Sequence, residues 1–293
     1  MRITENIVSY NYLDNVNQAR EKIVGLQSQL ASGKRVSKPS DDPRASDAIL
    51  RLREALSLNE QYTRNAEDGN AMAGATSSAL DSFSELFLQM KQEIVKANNA
   101  GNTLAMPTFA QTIDDLLSQA INTANSKFNG KYLFGGTQTL DAPYTLDANR
   151  QIVTKTVNDG VINYMVSDGM TQQVNISGDS AFQGTGLFDL MIQIRDGLLN
   201  GQVPTQTQSD AVNDGFGHIL LQASKAGSIV SSLDSVAFGL EGQKMRLTEF
   251  LSNEQDADLA ESIMKLKQQE LALDAAINTG ARVIPKTLLD FLQ

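Results

Sequence analysis

The chain has 293 residues, of which 41% are hydrophobic, so it is long enough to bury substantial cores in two or more units. Its 34 acidic and 24 basic residues give a formal net charge of -10 at pH 7. This charge would repel nucleic acid and an anionic membrane surface, and neither is an expected partner. Cysteine is absent from the sequence, which excludes disulfides, thiolate metal sites and thiol nucleophiles.

The N-terminal region predicts an amphipathic helix over residues 5 to 32. Apolar residues recur there at steps of three and four, and Gly33 can supply the left-handed residue that ends a helix. The recurring residues are Leu13, Val16, Ala19, Ile23, Leu26 and Leu30. Charged residues interrupt this region before any apolar run reaches signal-peptide length, so neither Sec export nor membrane anchoring is expected.

A second helix is predicted to begin at Pro43 and to reach about Asn99. Asp42 is its expected N-cap, because the carboxylate can accept backbone N–H bonds while Pro43 occupies the first helical position. The adjacent Asp41 and Asp42 could also form a catalytic carboxylate pair, but helix capping is the favoured interpretation. A shorter helix after Pro107 is predicted to fold back on the long one.

Residues 131 to 180 change to an alternating pattern, which predicts a small antiparallel β unit. Alternation is clear from Ile162 to Val166, and Asp159-Gly160 and Asp168-Gly169 are expected to form hairpin turns. The apolar residues from Leu187 to Ile194 predict one short helix that closes this unit.

Two amphipathic helices are predicted after the β unit. An apolar seam with a spacing of about 3.5 residues runs from Val212 to Leu251 and needs a partner helix to cover it. The final arm has a similar spacing, which Gly280 and Pro285 weaken. Its apolar residues include Leu259, Ile263, Leu266, Leu273, Ile277, Leu288 and Phe291.

These elements predict a mainly helical α+β fold, in which a long antiparallel coiled-coil rod carries terminal amphipathic helices and an inserted small antiparallel β-rich domain. The expected divisions are an N-terminal assembly helix, the first half of the rod, the β-rich insert, the second half of the rod and a C-terminal assembly helix. They fall at residues 1–40, 41–130, 131–206, 207–254 and 255–293.

The terminal helices need partners, because an isolated amphipathic helix is marginal in water. They could pair within one subunit, or they could order only when neighbouring subunits bury them, and the second arrangement suits a polymer. We therefore expect a set of terminal apolar residues to form contacts between subunits. The set is Leu13, Val16, Ile23, Leu26, Leu30, Leu259, Ile263, Leu266, Leu273, Ile277, Leu288 and Phe291.

The remaining candidate sites have simpler structural interpretations. His218 is the sole histidine, so a catalytic triad or a zinc site would depend on one residue. Asp256 and Asp258 lack the rest of a calcium loop and are interpreted as a helix cap, while Gly135-Gly136 lacks the lysine of a phosphate loop. Asn175 begins a glycosylation triplet, but such short matches are common by chance. We predict no catalytic residue, cofactor or metal site.

Several short segments resemble bacterial flagellins and their junction relatives. They are residues 30–36 (LASGKRV), 39–43 (PSDDP), 65–69 (NAEDG), 256–260 (DADLA) and 288–292 (LLDFL), near the two ends where that family keeps its assembly helices. Within the family, proline after the paired aspartates is similar to the hook-filament junction members, whereas filament flagellins more often have alanine there. Residues 1–4 (MRIT) and 131–137 (KYLFGGT) resemble the same members.

The resemblance implies an extracellular structural protein of the bacterial flagellum, not an enzyme, that forms an adaptor ring at the hook-filament junction. Its implied partners are further copies of itself, the first hook-associated protein, flagellin, and an export chaperone at the C-terminal helix. It also implies export through the flagellar type III channel without a cleaved signal peptide. The alternatives are a filament-forming flagellin and a hydrolase that uses aspartates of the β insert such as Asp159 or Asp168.

Overall fold

The computed structural model describes residues 2–100, 103–151, 153–155 and 159–283. The helices are α1 (Arg2–Ser32), α2 (Pro43–Asn99), α3 (Met106–Ala124), α4 (Gly178–Phe182), α5 (Gly186–Leu199), α6 (Gln206–Gln255) and α7 (Leu259–Val283), with a 3₁₀ turn at Thr103–Ala105. The strands are β1 (Lys127–Phe128), β2 (Lys131–Tyr132), β3 (Tyr144–Leu146), β4 (Val153–Lys155), β5 (Asn163–Ser167) and β6 (Met170–Gln173). The predicted fold class, mainly helical with a small antiparallel β part, is confirmed.

The chain divides into two compact units. Unit 1 comprises Met1–Leu58 and Lys244–Gln293, and therefore holds α1, α7, the first part of α2 and the last part of α6. Unit 2 comprises Asn59–Gln243 and holds the other elements. The domain boundaries inferred from the sequence stay a prediction.

In unit 1 the terminal helices α1 and α7 pair with each other in antiparallel orientation. Ala257 N donates to Gly33 O (2.9 Å) where α1 ends and α7 begins, and Tyr12 Oη donates to Ala276 O (3.1 Å) toward their other ends. Gly33 has a φ of +70°, which is the left-handed residue expected after α1. One chain therefore adopts the first of the two arrangements, pairing within a subunit.

The connectors that follow α1 and precede α7 are also joined within unit 1. Arg35 N donates to Gln255 O (2.7 Å), and Arg35 Nη2 donates to Glu254 O (2.8 Å). Val36 lies beneath this contact in a small core with Ala45 and Ile49. The family-like segment 30–36 thus fastens the α1–α2 connector to the end of α6.

In unit 2, α2 and α6 run antiparallel. Asn59 Nδ2 donates to Leu240 O (3.2 Å), and the side chains of Asn70 and Asp234 form a hydrogen bond further along the pair. The sequence predicted that α3 folds back on α2. In the structure α5 also packs closely against α3, and the prediction did not include this contact. Residues of α2, α3, α5 and α6 share one large apolar core.

Among the described residues the strands form three separate two-stranded antiparallel sheets, not one β unit. They pair β1 with β2, β3 with β4 and β5 with β6. The turn predicted at Asp168-Gly169 joins β5 to β6 and is confirmed. The helix predicted from Leu187 to Ile194 is confirmed as α5, but the prediction of one helix was incomplete, because the short helix α4 precedes it.

The hairpin turn predicted at Asp159-Gly160 was also wrong. The Asp159 carboxylate instead forms an ion pair with Lys155 and accepts a hydrogen bond from Asp179 N (3.0 Å). The Gly160 carbonyl accepts from Asn175 Nδ2 (2.9 Å). An aspartate-glycine pair favours a turn locally, but here its polar groups bind residues that are distant in sequence.

Aromatic side chains attach the β-containing region to α2. Phe83 of α2 has its ring centroid 4.5 Å from that of Phe182 and 5.8 Å from that of Phe188. Phe134, from the family-like segment 131–137, lies 4.8 Å from Phe182. That segment therefore contributes to the core of unit 2.

The family-like segment 65–69 is where α2 receives the β5–β6 hairpin. Asn65 Nδ2 donates to Met165 O (2.7 Å). A Cβ at Gly69 would lie 2.8 Å from Val174 Cγ1 and 3.3 Å from Leu233 Cδ1. Glycine is required here because the hairpin region and α6 both approach the helix backbone closely.

Candidate assembly surface

The seam between α1 and α7 uses about half of the residues predicted to contact other subunits. Val16 and Ile23 are buried, as are Ser262 and Gly280 on α7. The half-buried seam residues, which continue the steps of three and four, are Tyr12, Ala19, Leu26, Leu30, Leu266, Gln269, Leu273 and Ala276. In this arrangement Val16, Ile23, Leu26, Leu30, Leu266 and Leu273 line the seam of their own chain.

The other predicted contact residues that the structure describes are exposed. Leu13 is 56% exposed and Ile263 is 51% exposed, and Leu259 and Ile277 are also exposed. Val24, which the sequence reasoning missed, is exposed as well. Leu288 and Phe291 lie outside the described residues.

Five of the exposed large apolar residues lie on one side of the helix pair, whereas Met264 and Leu271, which are also exposed, lie two positions from the nearest seam residues. Leu13 and Val24 directly follow seam residues of α1, and Ile263 and Ile277 directly follow seam residues of α7. One residue turns a helix by about 100°. In an antiparallel pair the two helices face each other and run in opposite directions. A rotation of about 100° from the seam therefore places the next residue of each helix on the same side of the pair. We call this surface, formed by Leu13, Val24, Leu259, Ile263 and Ile277, the apolar side.

The opposite side of the pair has a different character. It is formed by the residues that directly precede the seam residues, and we call it the polar side. Its members are Asn11, Asn15, Gln18, Lys22, Gly25, Gln29, Glu261, Lys265, Gln268, Ala272, Ala275 and Thr279. None of these is a large apolar residue, so of the two sides beside the seam only one carries exposed aliphatic residues, although Arg20, Lys267, Glu270 and Asp274 lie among them. Exposed apolar groups rimmed by polar residues are typical of an interaction surface.

Tyr12 and Gly280 fix the register of the seam. A Cβ on Gly280 would lie 2.1 Å from Tyr12 Cζ, so the tyrosine ring occupies the space of the missing side chain. From the sequence, Gly280 was interpreted as a weakness of the α7 pattern. Gly280 lies seven residues after Leu273, which is about two helical turns along the seam. This position could have indicated that Gly280 faces α1.

The predicted cap residues lie at the start of α2. Asp42 Oδ1 accepts hydrogen bonds from Ala45 N and Arg44 N, both at 3.1 Å, and Pro43 is the first helical residue. The hydrogen bond from Ala45 N, assisted by Arg35, holds the pKa of Asp42 below its usual value. Arg35 Nη1 lies 3.4 Å from Asp42 Oδ2. The carboxylate therefore stabilises both the helix start and the connector.

Asp256 and Asp258 have separate roles at the start of α7. Asp258 Oδ1 accepts from Glu261 N (3.0 Å), as an N-cap residue does. Asp256 Oδ2 accepts from Ser252 Oγ (2.6 Å) at the end of α6. No group of three or more His, Asp or Glu side chains suited to a metal ion occurs in the described part of the chain.

The other candidate positions serve the fold of unit 2. His218 Nε2 donates to Ser180 O (2.7 Å) and links α6 to α4. Asn175 is buried, and its Oδ1 accepts from Ile162 N (2.8 Å). A sugar on this amide would have to displace the hydrogen bonds that hold the segment before β5. Among the helices described, none is long and apolar enough to cross a membrane.

Known proteins share both the sequence features and the fold. The family described as the bacterial flagellin N-terminal helical region matches residues 3–139. Flagellar hook-associated protein 3 of Escherichia coli is 22% identical over 94% of this chain and 95% of its own length. The flagellin of Bacillus subtilis is 21% identical over 100% of both chains. The structure of Bacillus cereus FlgL has a similar fold, with a TM-score of 0.60, 19% identity, and coverage of 69% of this chain and 99% of its own.

These similarities run from the N-terminal helical region through the full length of the relatives. The chain is similar to flagellar structural proteins of the flagellin family along its length, and the family's N-terminal helical region matches just under half of it. The relatives named flagellar hook-associated protein 3 and the similar fold of FlgL support a junction protein of the FlgL type.

Proposed function

We propose that the protein forms an adaptor ring at the hook-filament junction, in which each copy contacts the next through the apolar side of its terminal helix pair. The observation that carries this proposal is the sorting of Leu13, Val24, Leu259, Ile263 and Ile277 onto one side of the pair. Within the described residues the apolar side is exposed, and an assembly would cover it.

The size of the apolar side suits a contact that is stable only in a larger assembly. Covering a large aliphatic side chain contributes about 1.5–3 kcal/mol, and these five are about half exposed, so the sum is on the order of 5 kcal/mol per copy. Association of two molecules costs roughly 4–15 kcal/mol. A single pair of copies would therefore be weak, whereas a copy in a ring contacts neighbours on two sides.

We infer that the ring joins the first hook-associated protein to flagellin and acts as a mechanical adaptor. The flagellin of Bacillus subtilis aligns with the whole chain, which supports a common helical architecture for both sides of the joint. A shared architecture would let flagellin copies continue the packing that the ring begins.

Before assembly, the apolar side of α7 would be exposed to other proteins in the cell. We infer that an export chaperone binds α7 in the cytoplasm, and that the chain then leaves through the flagellar type III channel and folds at the end of the hook. Leu259, Ile263 and Ile277 provide the aliphatic surface that such a chaperone would cover.

The assembly contact can be tested by changing the two sides of the pair separately. Leu13→Gln with Ile263→Gln makes the apolar side polar at similar helix propensity, and we expect loss of higher-order assembly in sedimentation and loss of motility. The matched control, Asn15→Gln with Ala272→Gln, changes the polar side and should assemble normally. Unimpaired assembly by the apolar-side variant, with both proteins folded by circular dichroism, would contradict the proposal.

The second candidate function is a filament-forming flagellin, because a full-length flagellin relative is almost as similar as the hook-associated one. Purified protein should be added to sheared filament fragments. Extension into long fibres would favour flagellin, and failure to extend would favour the junction protein. Electron microscopy of a tagged copy should show one band at the hook tip for a junction protein and label along the filament for a flagellin.

A further inference from the structure

The charge of the chain is divided unevenly between the two units. Unit 1 has 15 acidic and 15 basic residues, whereas unit 2 has 19 acidic and 9 basic residues. The whole formal charge of -10 therefore belongs to unit 2, and unit 1, which carries the apolar side, is neutral.

Internal ion pairs between distant parts of the chain occupy three of the nine basic residues of unit 2. Arg150 and Arg195 both bind Asp114. Lys155 binds the carboxylates of Asp159 and Asp179. These basic groups stabilise the fold and are not available to compensate the other carboxylates.

One long stretch of each of the helices α2 and α6 in unit 2 carries only acidic charged residues. Helix α2 has no basic residue between Arg64 and Lys91, but it has Glu67, Asp68, Asp81 and Glu85 there, all exposed. Helix α6 has Asp210 and Asp214 before its first basic residue, Lys225. Glu67, Asp81, Glu85 and Asp214 form no ion pair within the described residues.

We propose that the acidic surface of unit 2 regulates assembly by repulsion between copies, so that salt promotes the contact made by unit 1. This inference rests on the proposed function. Repulsion between exposed charges extends over about 30 Å at 10 mM salt and about 8 Å at 150 mM salt. The aliphatic residues of the contact belong to a neutral unit, so screening weakens the repulsion between copies and leaves the attraction of these residues in place.

The same charge distribution explains how an exposed apolar side is compatible with a soluble subunit. A net charge far from zero keeps protein molecules apart in solution. Unit 2 supplies that charge without placing it on the surface that must make the contact. Solubility and assembly are thereby assigned to different parts of one chain.

The test compares three full-length proteins by sedimentation between 10 and 150 mM NaCl. For the natural sequence, the concentration needed for half-maximal assembly should fall on the order of tenfold as salt rises. The variant Glu67→Gln, Asp81→Asn, Glu85→Gln, Asp214→Asn should assemble more readily at 10 mM NaCl and respond less to salt. The control Glu67→Asp, Asp81→Glu, Glu85→Asp, Asp214→Glu keeps the charge and should behave like the natural sequence.

Comparison with the charge-conserving control separates screening from general salting-out, which would affect all three proteins alike. Equal salt responses of the neutralised variant and this control would overturn the inference, as would assembly that weakens with added salt. Assembly that is lost in the apolar-side variant but indifferent to salt would support the proposed function and overturn only the charge inference. Absence of assembly by all proteins at every salt concentration would contradict both.

Discussion

The two units of this protein treat their large apolar side chains in opposite ways. Unit 2 buries Phe83, Phe87, Phe134, Phe182 and Phe188 completely, in one cluster whose rings come from α2, α4, α5 and the loop after β2. Unit 1 buries one seam between α1 and α7 and a small cluster of Val36, Ala45 and Ile49, and it leaves the aliphatic residues beside the seam exposed. Unit 2 thus has a closed core within one chain, whereas the terminal helix pair of unit 1 leaves aliphatic residues exposed beside its seam.

The difference has a simple origin in the number of elements that meet. In unit 2, helices and hairpins approach α2 from several directions, so each ring has neighbours on all sides. A helix with only one partner can bury one stripe, and the residues directly beside that stripe remain exposed. The largest mutational effects on stability should therefore occur in unit 2, and the largest effects on assembly in unit 1.

Phe83→Ala should have the largest effect on stability. Phe83 contacts Phe87, Phe182 and Phe188, and removal of a buried ring typically costs about 3–5 kcal/mol. Urea unfolding followed by circular dichroism would measure the loss. Leu88→Ala on the exposed face of the same helix is the control and should cost far less. Similar losses for the two variants would show that the cluster is not the stabilising core described here.

Asp114→Asn should follow, with a loss of about 1.5–3 kcal/mol at neutral pH, because it removes one of the two carboxylates that bind the buried Arg195, the other being Asp196. Burial raises the pKa of Asp114, but hydrogen bonds from Arg150 and Arg195 outweigh burial and lower it from 3.8. A lowered pKa in the folded state stabilises the fold above pH about 4, and this contribution is lost as the pH falls through the folded-state pKa.

The pH dependence of unfolding provides the measurement for Asp114. The natural sequence should lose stability as the pH falls below about 4, and Asp114→Asn should lose less over the same interval because its side chain cannot titrate. Asp115→Asn changes the exposed neighbouring carboxylate and should leave the acid response of the fold unchanged. If the Asp114 and Asp115 variants had the same acid response, the ion-pair cluster would not be its source.

Local signals in the sequence were sufficient to place the helix ends. Asp42 and Pro43 identify the start of α2 at the residue where it begins, and Gly33 identifies the end of α1. Capping groups act within one turn of the chain, so their effect can be predicted without knowledge of the tertiary structure. The family-like segments near these positions also indicated the correct fold class.

Long-range contacts decided the features that could not be predicted. The polar groups of Asp159-Gly160 bind Lys155, Asp179 and Asn175, and no local pattern indicates those partners. The terminal stripe was predicted as one surface, but the register set by Tyr12 and Gly280 divides it into a seam and an exposed apolar side. A spacing of three and four residues identifies an apolar stripe on a helix. It does not identify which edge of that stripe the partner helix covers.

Gly280→Ala would test that register with a smaller effect, about 1–3 kcal/mol, because the added methyl group overlaps the Tyr12 ring. Hydrogen exchange should become faster in α1 and α7 and remain unchanged in unit 2. Gly25→Ala is the matched control on α1, since its Cβ would meet no atom within 4 Å. The control should gain up to about 1 kcal/mol from helix propensity. Equal stabilisation by both substitutions would show that Tyr12 does not occupy this position.

The smallest expected effect concerns the start of α7. Asp258→Ala removes the cap that accepts the Glu261 N–H bond and should cost about 1 kcal/mol, seen as faster hydrogen exchange in the first turn of α7. Asp256→Ala removes only the hydrogen bond with the exposed Ser252 and should cost less. Because unit 1 depends on one helix pair, a local loss at this cap should weaken assembly, whereas unit 2 should retain its exchange rates. Equal effects in both units would mean that the terminal pair and the closed core unfold together.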